Sequence, residues 1–531
     1  MQKLLSILLC LFVFTACQES KTETQAVAIK TASKTLAYDE PHRPQYHFSP
    51  PAKWMNDPNG MVFYEGEYHL FYQYYPDSTV WGPMHWGHAV SEDLVNWQHL
   101  PIALYPDSLG LIFSGSAVID WNNSSGLAPE GEVPMVAIFT YHNMEGERNG
   151  SLDFQTQGIA YSLDKGRTWT KYEGNPVIPN PGLKDFRDPK VFWHDASESW
   201  VMIFARGDQV QIYRSPNLKE WTLASEFGVD QGSHGGVWEC PDLFQLKVPA
   251  SEEKKWVMIV SLGRGGANGG SGTMYFIGDF DGTSFSNNNS PETVLWLDYG
   301  TDNYAGVTWS DVPKEDGRRL FMGWMSNWHY ATLVPTEKWR SAMTIGRELQ
   351  LAETEAGLRM ISMPVAEQDQ LRQDAQQIAA GEVNGKRVLA SDSRLAELLL
   401  SFEYDPKAPP SKFGVRFSNT KGEEYLVGLD LKTNEFYTDR RNAGKTDFSE
   451  HFAKLHTAPR ISSATKVDFH LYLDLASMEL FADGNEVVFT DIFFPTEDFG
   501  EIEAFSEGGK VKLSAGTIYP LNKMKVSSVE D

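Results

Sequence analysis

A segment of one composition recurs five times along the first two thirds of the chain: EYHLFYQ (67–73), VPMVAIFTY (133–141), SWVMIFA (199–205), KWVMIVS (255–261) and RLFMGWM (319–325). With Tyr68, Met135, Trp200, Trp256 and Leu320 taken as equivalent, the steps are 67, 65, 56 and 64 residues. A near-constant step of this size marks a repeat architecture, because one such unit cannot bury its apolar face alone. Each segment follows another apolar stretch: GMVFYEG, SGSAVID, DPKVFWHD, CPDLFQLK or AGVTWSD. Three repeats also carry a turn that ends in Trp, in SEDLVNW (91–97), SLDKGRTW (162–169) and SPNLKEW (215–221), placed to join the outer strands of a unit. Helical periodicity is nearly absent. The pattern predicts an all-β fold, with a five-bladed β-propeller over residues 45–351.

In a propeller the first strand of each blade lines a central channel. The stretch WMNDPNG (54–60) sets the turn residues Asn56-Asp57-Pro58-Asn59 against the apolar Met61-Val62-Phe63-Tyr64, so a carboxylate stands at the mouth of a buried strand. Asp188 and Glu239 precede the first strands of repeats three and four in the same way. Each acid lies four to six residues before an aromatic (Phe63, Phe192, Phe244), with Pro58, Pro189 or Pro241 close behind. Three acids in one repeat position predict carboxylates from separate blades converging at one end of the channel. Two carboxyl groups suffice for glycosidic cleavage, one protonating the leaving oxygen and the other attacking or activating water, and crowding drives their pKa values apart. Spacing alone does not assign the roles.

The motifs WMNDPNG, FSGSAV (113–118), FRDPKVF (186–192), WECPD (238–242) and GWMSNW (323–328), in this order and spacing, resemble glycoside hydrolase family 32, the invertase and fructan β-fructosidase family. The resemblance runs from about residue 45 to the C-terminus. It implies a retaining hydrolase releasing terminal β-fructofuranosyl units from fructans (levan or inulin type), fructo-oligosaccharides and sucrose. It also implies roles: Asp57 as nucleophile, Glu239 as acid/base and Asp188 as transition-state stabiliser. Asn56, Gln73, Trp81, Phe113, Ser114, Arg187 and Trp328 are implied around the fructosyl ring. In retaining enzymes the two reacting carboxyl groups lie roughly 5–5.5 Å apart. A fructosyltransferase on the same fold, a non-catalytic fructan-binding lipoprotein and a five-bladed arabinanase are the rival readings. WMNDPNG and WECPD speak against the arabinanase, and the retention of all three acids speaks against the binding protein.

No cofactor and no metal are expected. His85 and His88 in WGPMHWGHAV lack a third ligand at useful spacing and read as hydrogen-bonding or packing residues. Cys240 has no paired base and reads as a small buried group beside Glu239. GRGGANGGSG (263–272) lacks the Lys-Ser/Thr of a phosphate loop and reads as a mobile loop over the channel. A formal charge of -25 argues against nucleic acid as a partner.

The first 17 residues, MQKLLSILLCLFVFTAC, have the charged and apolar regions of an export signal, ending in a small residue before Cys17. This predicts a lipoprotein-type signal peptide (1–17) with lipidation of Cys17, membrane contact only through that anchor, and a place on the bacterial envelope. Of three cysteines only Cys240 then remains, so no intrachain disulfide is available. Residues 18–44 are polar and read as a flexible tether, and 352–378 as a weakly helical connector. From 379 to 531 strands alternate again without the blade signature, which predicts a C-terminal β-sandwich. SMELFADGNEVVFTDIFFP there resembles the family's sandwich hairpin.

Overall fold

The computed structural model describes residues 33–529. Cys17 and the signal segment lie outside them, as does most of the expected tether. The all-β expectation holds: among the described residues the longest α-helix is Met144–Arg148.

The N-terminal part is propeller-like. Four sheets of four or five strands begin with Leu111–Ile119, Phe186–His194, Trp238–Lys247 and Tyr304–Thr308. The sheet built on Lys53–Tyr64 is larger. It runs through Glu67–Tyr75, His85–Ser91 and Trp97–Leu104, then adds Val526–Val529 and Ser33–Thr35 on its outer edge and Trp339–Arg340 on its inner edge. The five first strands pack against one another in chain order, and Tyr304–Thr308 packs back on Lys53–Tyr64. The ring closes without a free inner edge.

The recurrent apolar segments are the second strands of these sheets, buried on both faces between neighbours. Val201, Met202, Ile203, Phe204 and Ala205 all have 0% exposure, which explains their continuous rather than alternating hydrophobicity. The Trp-ending turns join outer strands as expected. Asp93 and Asn217 accept backbone N–H groups of the turn that follows each, and the Trp169 and Trp221 indoles donate to Gly166 and Leu218 carbonyls.

The structure moves three expected boundaries. Gly357–Pro364 pairs along its whole length with Arg347–Thr354, so this part of the expected connector is the outer strand of a sheet. Only Ala366–Leu371, a 3₁₀ turn, is helical there. The C-terminal Val526–Val529 pairs in parallel with Trp97–Leu104 and so leaves the C-terminal domain. Ser33–Thr35, expected in the tether, pairs with that terminal strand, and Arg43 is buried with its guanidinium on Glu40, Ser49 and Pro50.

The C-terminal sheet domain contains eleven strands around one apolar core. Its organiser is Glu501–Pro520, whose first half pairs with Lys412–Ser418 and second half with Ala396–Glu403. Ser477–Ala482 and Val487–Ile492 form the hairpin read from SMELFADGNEVVFTDIFFP. A buried ionic network joins this domain to the N-terminal sheets. Arg347 Nη1 lies 3.0 Å from Asp298, Arg347 Nε donates to Glu479 at 3.1 Å, and His47 bridges Asp474 (2.8 Å) and Glu479 (2.9 Å). Arg440 pairs with Asp302 at 2.6 Å.

Candidate active site

All five inner strands carry a two-against-one β-bulge at the same place. Asn56-Asp57 lie opposite Gln73, Phe113-Ser114 opposite Thr140, Asp188-Pro189 opposite Phe204, Cys240-Pro241 opposite Val260, and Ala305-Gly306 opposite Gly323. A bulge bends its strand and re-aims a side chain out of the pleat. Asp188, Cys240 and Ala305 accordingly sit at φ 66°, 45° and 54°. This corrects the sequence reading in two respects. The acids do not precede the inner strands but lie within them, on bulges. Nor do they share one repeat position: Glu239 stands just before its bulge, Asp188 is first in it and Asp57 second.

Residues of the first three bulges, with Glu239 beside the fourth, border a pocket of about 270 Å³, and all ten residues expected at the site line it. Asp57, Asp188, Asn56, Gln73 and Ser114 are buried at its base, and Trp81, Phe113, Arg187, Glu239 and Trp328 are partly exposed around it. Ser114 Oγ donates to Asp57 Oδ2 at 2.7 Å, and Asn56 Nδ2 to Oδ1 at 3.0 Å. Asn56 is itself oriented by the Trp54 indole at 2.7 Å. Gln73 spans Asn59 (2.8 Å) and the Ile112 carbonyl (3.0 Å), fixing the first two inner strands against each other.

Glu239 accepts two bonds from Arg187 on Oε1, at 3.2 and 2.9 Å, and one from the Tyr304 hydroxyl on Oε2. Arg187 also donates to Asp185 at 2.7 Å. Asp188 Oδ2 accepts the Cys240 N–H at 3.1 Å, while the Asp188 N–H donates to Thr140 Oγ1 at 3.0 Å. Trp328 stacks on Trp54, with centroids 6.0 Å apart at 28°, and Trp81 meets Phe113 edge-on at 6.0 Å.

Burial pushes Asp57 above the usual carboxylate range. The Ser114 bond opposes that shift, and the Glu239 charge adds to it. Burial also raises Asp188 to about 7, opposed by Arg187 and reinforced by Glu239 and Asp57. Like charges in one buried site disfavour each other's ionisation, which adds to the effect of burial on Asp57 and Asp188. The Cys240 thiol is pushed far up by burial and the three acids, which leaves it inert as a nucleophile.

Several residues at or just behind the pocket wall were not foreseen. Tyr304 occupies the position just before its bulge, equivalent to Arg187 and Glu239, and aligning the five inner strands by their bulges would have exposed it. His142, Phe154 and Gln155 come from the second sheet and Glu147 from the short helix inserted into it. His142 stacks on Phe113 at 4.1 Å and 6°, and its ring nitrogens meet Gln155 and Glu147, each at 3.1 Å. His85 and His88 behave as read. The first bonds the Pro83 carbonyl at 2.9 Å, and the second is buried against His69 at 3.0 Å. The glycine-rich segment does not behave as read. Asn268 bonds the Tyr299 carbonyl (2.7 Å) and both the carbonyl (2.9 Å) and the N–H (3.0 Å) of Thr457, pinning the loop to the C-terminal domain.

Comparison with known proteins points the same way. Residues 47–364 match the family described as Glycosyl hydrolases family 32 N-terminal domain, and 367–520 match Glycosyl hydrolases family 32 C terminal. The levanase of Bacillus subtilis (strain 168) is 51% identical over 498 residues, spanning 93% of this chain and 72% of the relative. The extracellular exo-inulinase of Aspergillus awamori is 38% identical over 526 residues, spanning 91% and 95% of the two chains. The crystal structure of exo-inulinase from the same organism superposes with a TM-score of 0.84 at 35% identity, over 92% of this chain and 99% of that one. A β-fructofuranosidase from Schwanniomyces occidentalis, complexed with fructosyl-erythritol, superposes with a TM-score of 0.81 at 32% identity, over 94% and 99%. With both family regions matched in order along a pocket ringed by three carboxylates, the chain belongs to glycoside hydrolase family 32.

Proposed function

We propose that the protein is a retaining fructan β-fructosidase that releases terminal β-fructofuranosyl units from levan- or inulin-type chains. The observation that carries this reading is the union of Asp57, Asp188 and Glu239, from three different sheets, in one pocket with different partners. Asp57 is held by Ser114 and Asn56 in the manner of an ionised nucleophile. Its carboxylate attacks C2 of the fructosyl unit while the C2–O bond to the rest of the chain breaks and Glu239 gives its proton to that oxygen. Water then attacks C2, Glu239 takes the water's proton and Asp57 departs. Two displacements at one carbon retain configuration. Asp188, beside Arg187, accepts hydrogen bonds from fructosyl hydroxyls as charge develops on the ring. Asn56, Gln73 and Ser114 take the remaining hydroxyls, and Trp81, Phe113 and Trp328 wall the ring.

We read the five sheets as five blades, the first enlarged by the two chain ends, and the C-terminal domain as a β-sandwich. The domain plan is otherwise that of the sequence: propeller from 45, sandwich from 379. The relatives' names, levanase and exo-inulinase, favour water over sugar as the acceptor. Export fits the extracellular exo-inulinases, and Cys17 is the residue that would carry lipid.

The test separates the two carboxylates. Asp57→Ala abolishes turnover of natural and activated fructosides alike. Glu239→Ala keeps a burst on a fructoside whose leaving group needs no proton, and azide accelerates its second step. Azide rescue of Asp57→Ala with retained configuration would mean that the roles are exchanged.

A further inference from the structure

The inner strands carry more than the carboxylates. They run on from the bulges to the opposite end of the channel, where a second cleft of about 450 Å³ opens among residues from four sheets. Trp193 lies five residues beyond Asp188 on one strand, which at about 3.3 Å per residue is roughly 16 Å away. The mechanism uses nothing in this cleft.

Two indoles stand exposed at its rim. Trp121 is 58% and Trp193 39% exposed, and both line the same cleft. Neither ring is loose. The Trp121 indole donates to Asp311 Oδ1 at 2.8 Å, while Oδ2 of that residue accepts the Ile119 N–H at 2.9 Å. Trp121 also leans on Tyr64 at 5.8 Å. Trp193 meets Trp200 edge-on at 5.3 Å, and Trp200 is tied to Ser124 at 2.9 Å. Deeper in the cleft, the Arg319 guanidinium lies 5.3 Å over the Phe244 ring, and its Nε has no hydrogen-bond partner. Lys190 close by is satisfied by Asp242 at 3.3 Å and by the Thr308 carbonyl. That Nε is sealed from solvent, but the two Nη groups are also without a hydrogen-bond or salt-bridge partner among the described residues, and they are the donors Arg319 offers to an oxygen in the cleft.

Fixed aromatic faces at the rim, with a hydrogen-bond donor in the same cleft, suit a sugar, whose C–H faces stack on rings and whose hydroxyl oxygens accept. The lining sets four aspartates against four basic side chains, so it carries no net charge and suits a neutral ligand better than a free ion. We propose that this cleft is a second, non-catalytic binding site for a short stretch of fructan chain. It engages polymer on the face away from the reaction and raises the local concentration of chain ends. The identity of the sugar rests on the fructosidase reading above; the existence of the site does not.

The test compares the parent protein with Trp193→Ala and with the Trp121→Ala/Trp193→Ala double variant, each also in an Asp57→Ala background. Mobility is measured in native gels containing levan, inulin or dextran, and steady-state kinetics on a fructosyl trisaccharide and on levan. The double variant is expected to keep kcat/KM on the trisaccharide within about twofold, to lose most of its retardation in levan or inulin, and to show a several-fold higher KM on levan. Trp193→Ala alone, which leaves the Trp121–Asp311 bond intact, should show part of the loss. Unchanged retardation in the double variant overturns the proposal, as does quenching of the parent's tryptophan fluorescence by sulfate but not by fructo-oligosaccharide. A parent that cleaves the trisaccharide yet is not retarded refutes the cleft alone. A parent that fails to cleave it refutes the fructosidase reading instead.

Discussion

Ser114→Ala is the substitution whose effect can be worked most directly from the geometry. The Ser114 hydroxyl reaches Asp57 Oδ2 at 2.7 Å, and it is the main influence opposing the upward push of burial on that carboxyl. A hydrogen bond to a charged group contributes about 1.5–3 kcal/mol. Removing the donor should therefore raise the Asp57 pKa further above the usual carboxylate range. The sign follows from which form the bond favours. Ser114 stabilises the carboxylate, so without it the nucleophile protonates at higher pH and activity is lost earlier on the acid side. The assay is kcat/KM on a short fructoside against pH, whose acid limb reports the free enzyme. The limb should move to higher pH in Ser114→Ala. Cys240→Ala serves as the control. Its thiol is a weak donor at 3.5 Å, and its backbone N–H, which binds Asp188, is retained. Its limb should move by less than about half a unit. If Ser114→Ala lowers kcat/KM but leaves the acid limb in place, Ser114 acts on the sugar and the electrostatic argument is wrong.

Tyr304→Phe removes one donor from Glu239 without opening a cavity. A loss of about 1.5–3 kcal/mol corresponds to a fall in kcat/KM of roughly 10- to 150-fold, with little change in the thermal unfolding midpoint. Glu479→Ala leaves Arg347 and His47 buried at the domain interface without their shared carboxylate, and it should destabilise the fold by about 3–5 kcal/mol in denaturant titration, with the pocket's residues untouched. Cys17→Ser should release the protein from membrane fractions; unchanged fractionation and processing would refute the lipid anchor.

Blade periodicity was legible in the sequence because second strands buried between neighbouring sheets need unbroken apolar runs, and because the Trp-ending turns repeat their own hydrogen bonding locally. The three acids were legible for a related reason: a carboxylate with Pro close behind, a few residues before an aromatic of an apolar strand, has no structural cause to recur. The sequence also displayed the family's motifs around Asn56, Ser114, Arg187 and Trp328. What it could not display was the shared bulge. Whether a residue precedes a strand or sits on a bulge within it depends on pairing across the sheet, and Gln73, Thr140, Phe204, Val260 and Gly323 set that register from 15 to 27 residues away. Tyr304 stayed hidden because its partner, Glu239, is brought to it only when the ring closes. The enlargement of the first sheet by Ser33–Thr35 and Val526–Val529, the pinning of the glycine-rich loop by Asn268, and the ion network under the C-terminal domain have the same origin. Each joins segments whose encounter is decided by tertiary packing, and no local pattern of residues encodes that encounter.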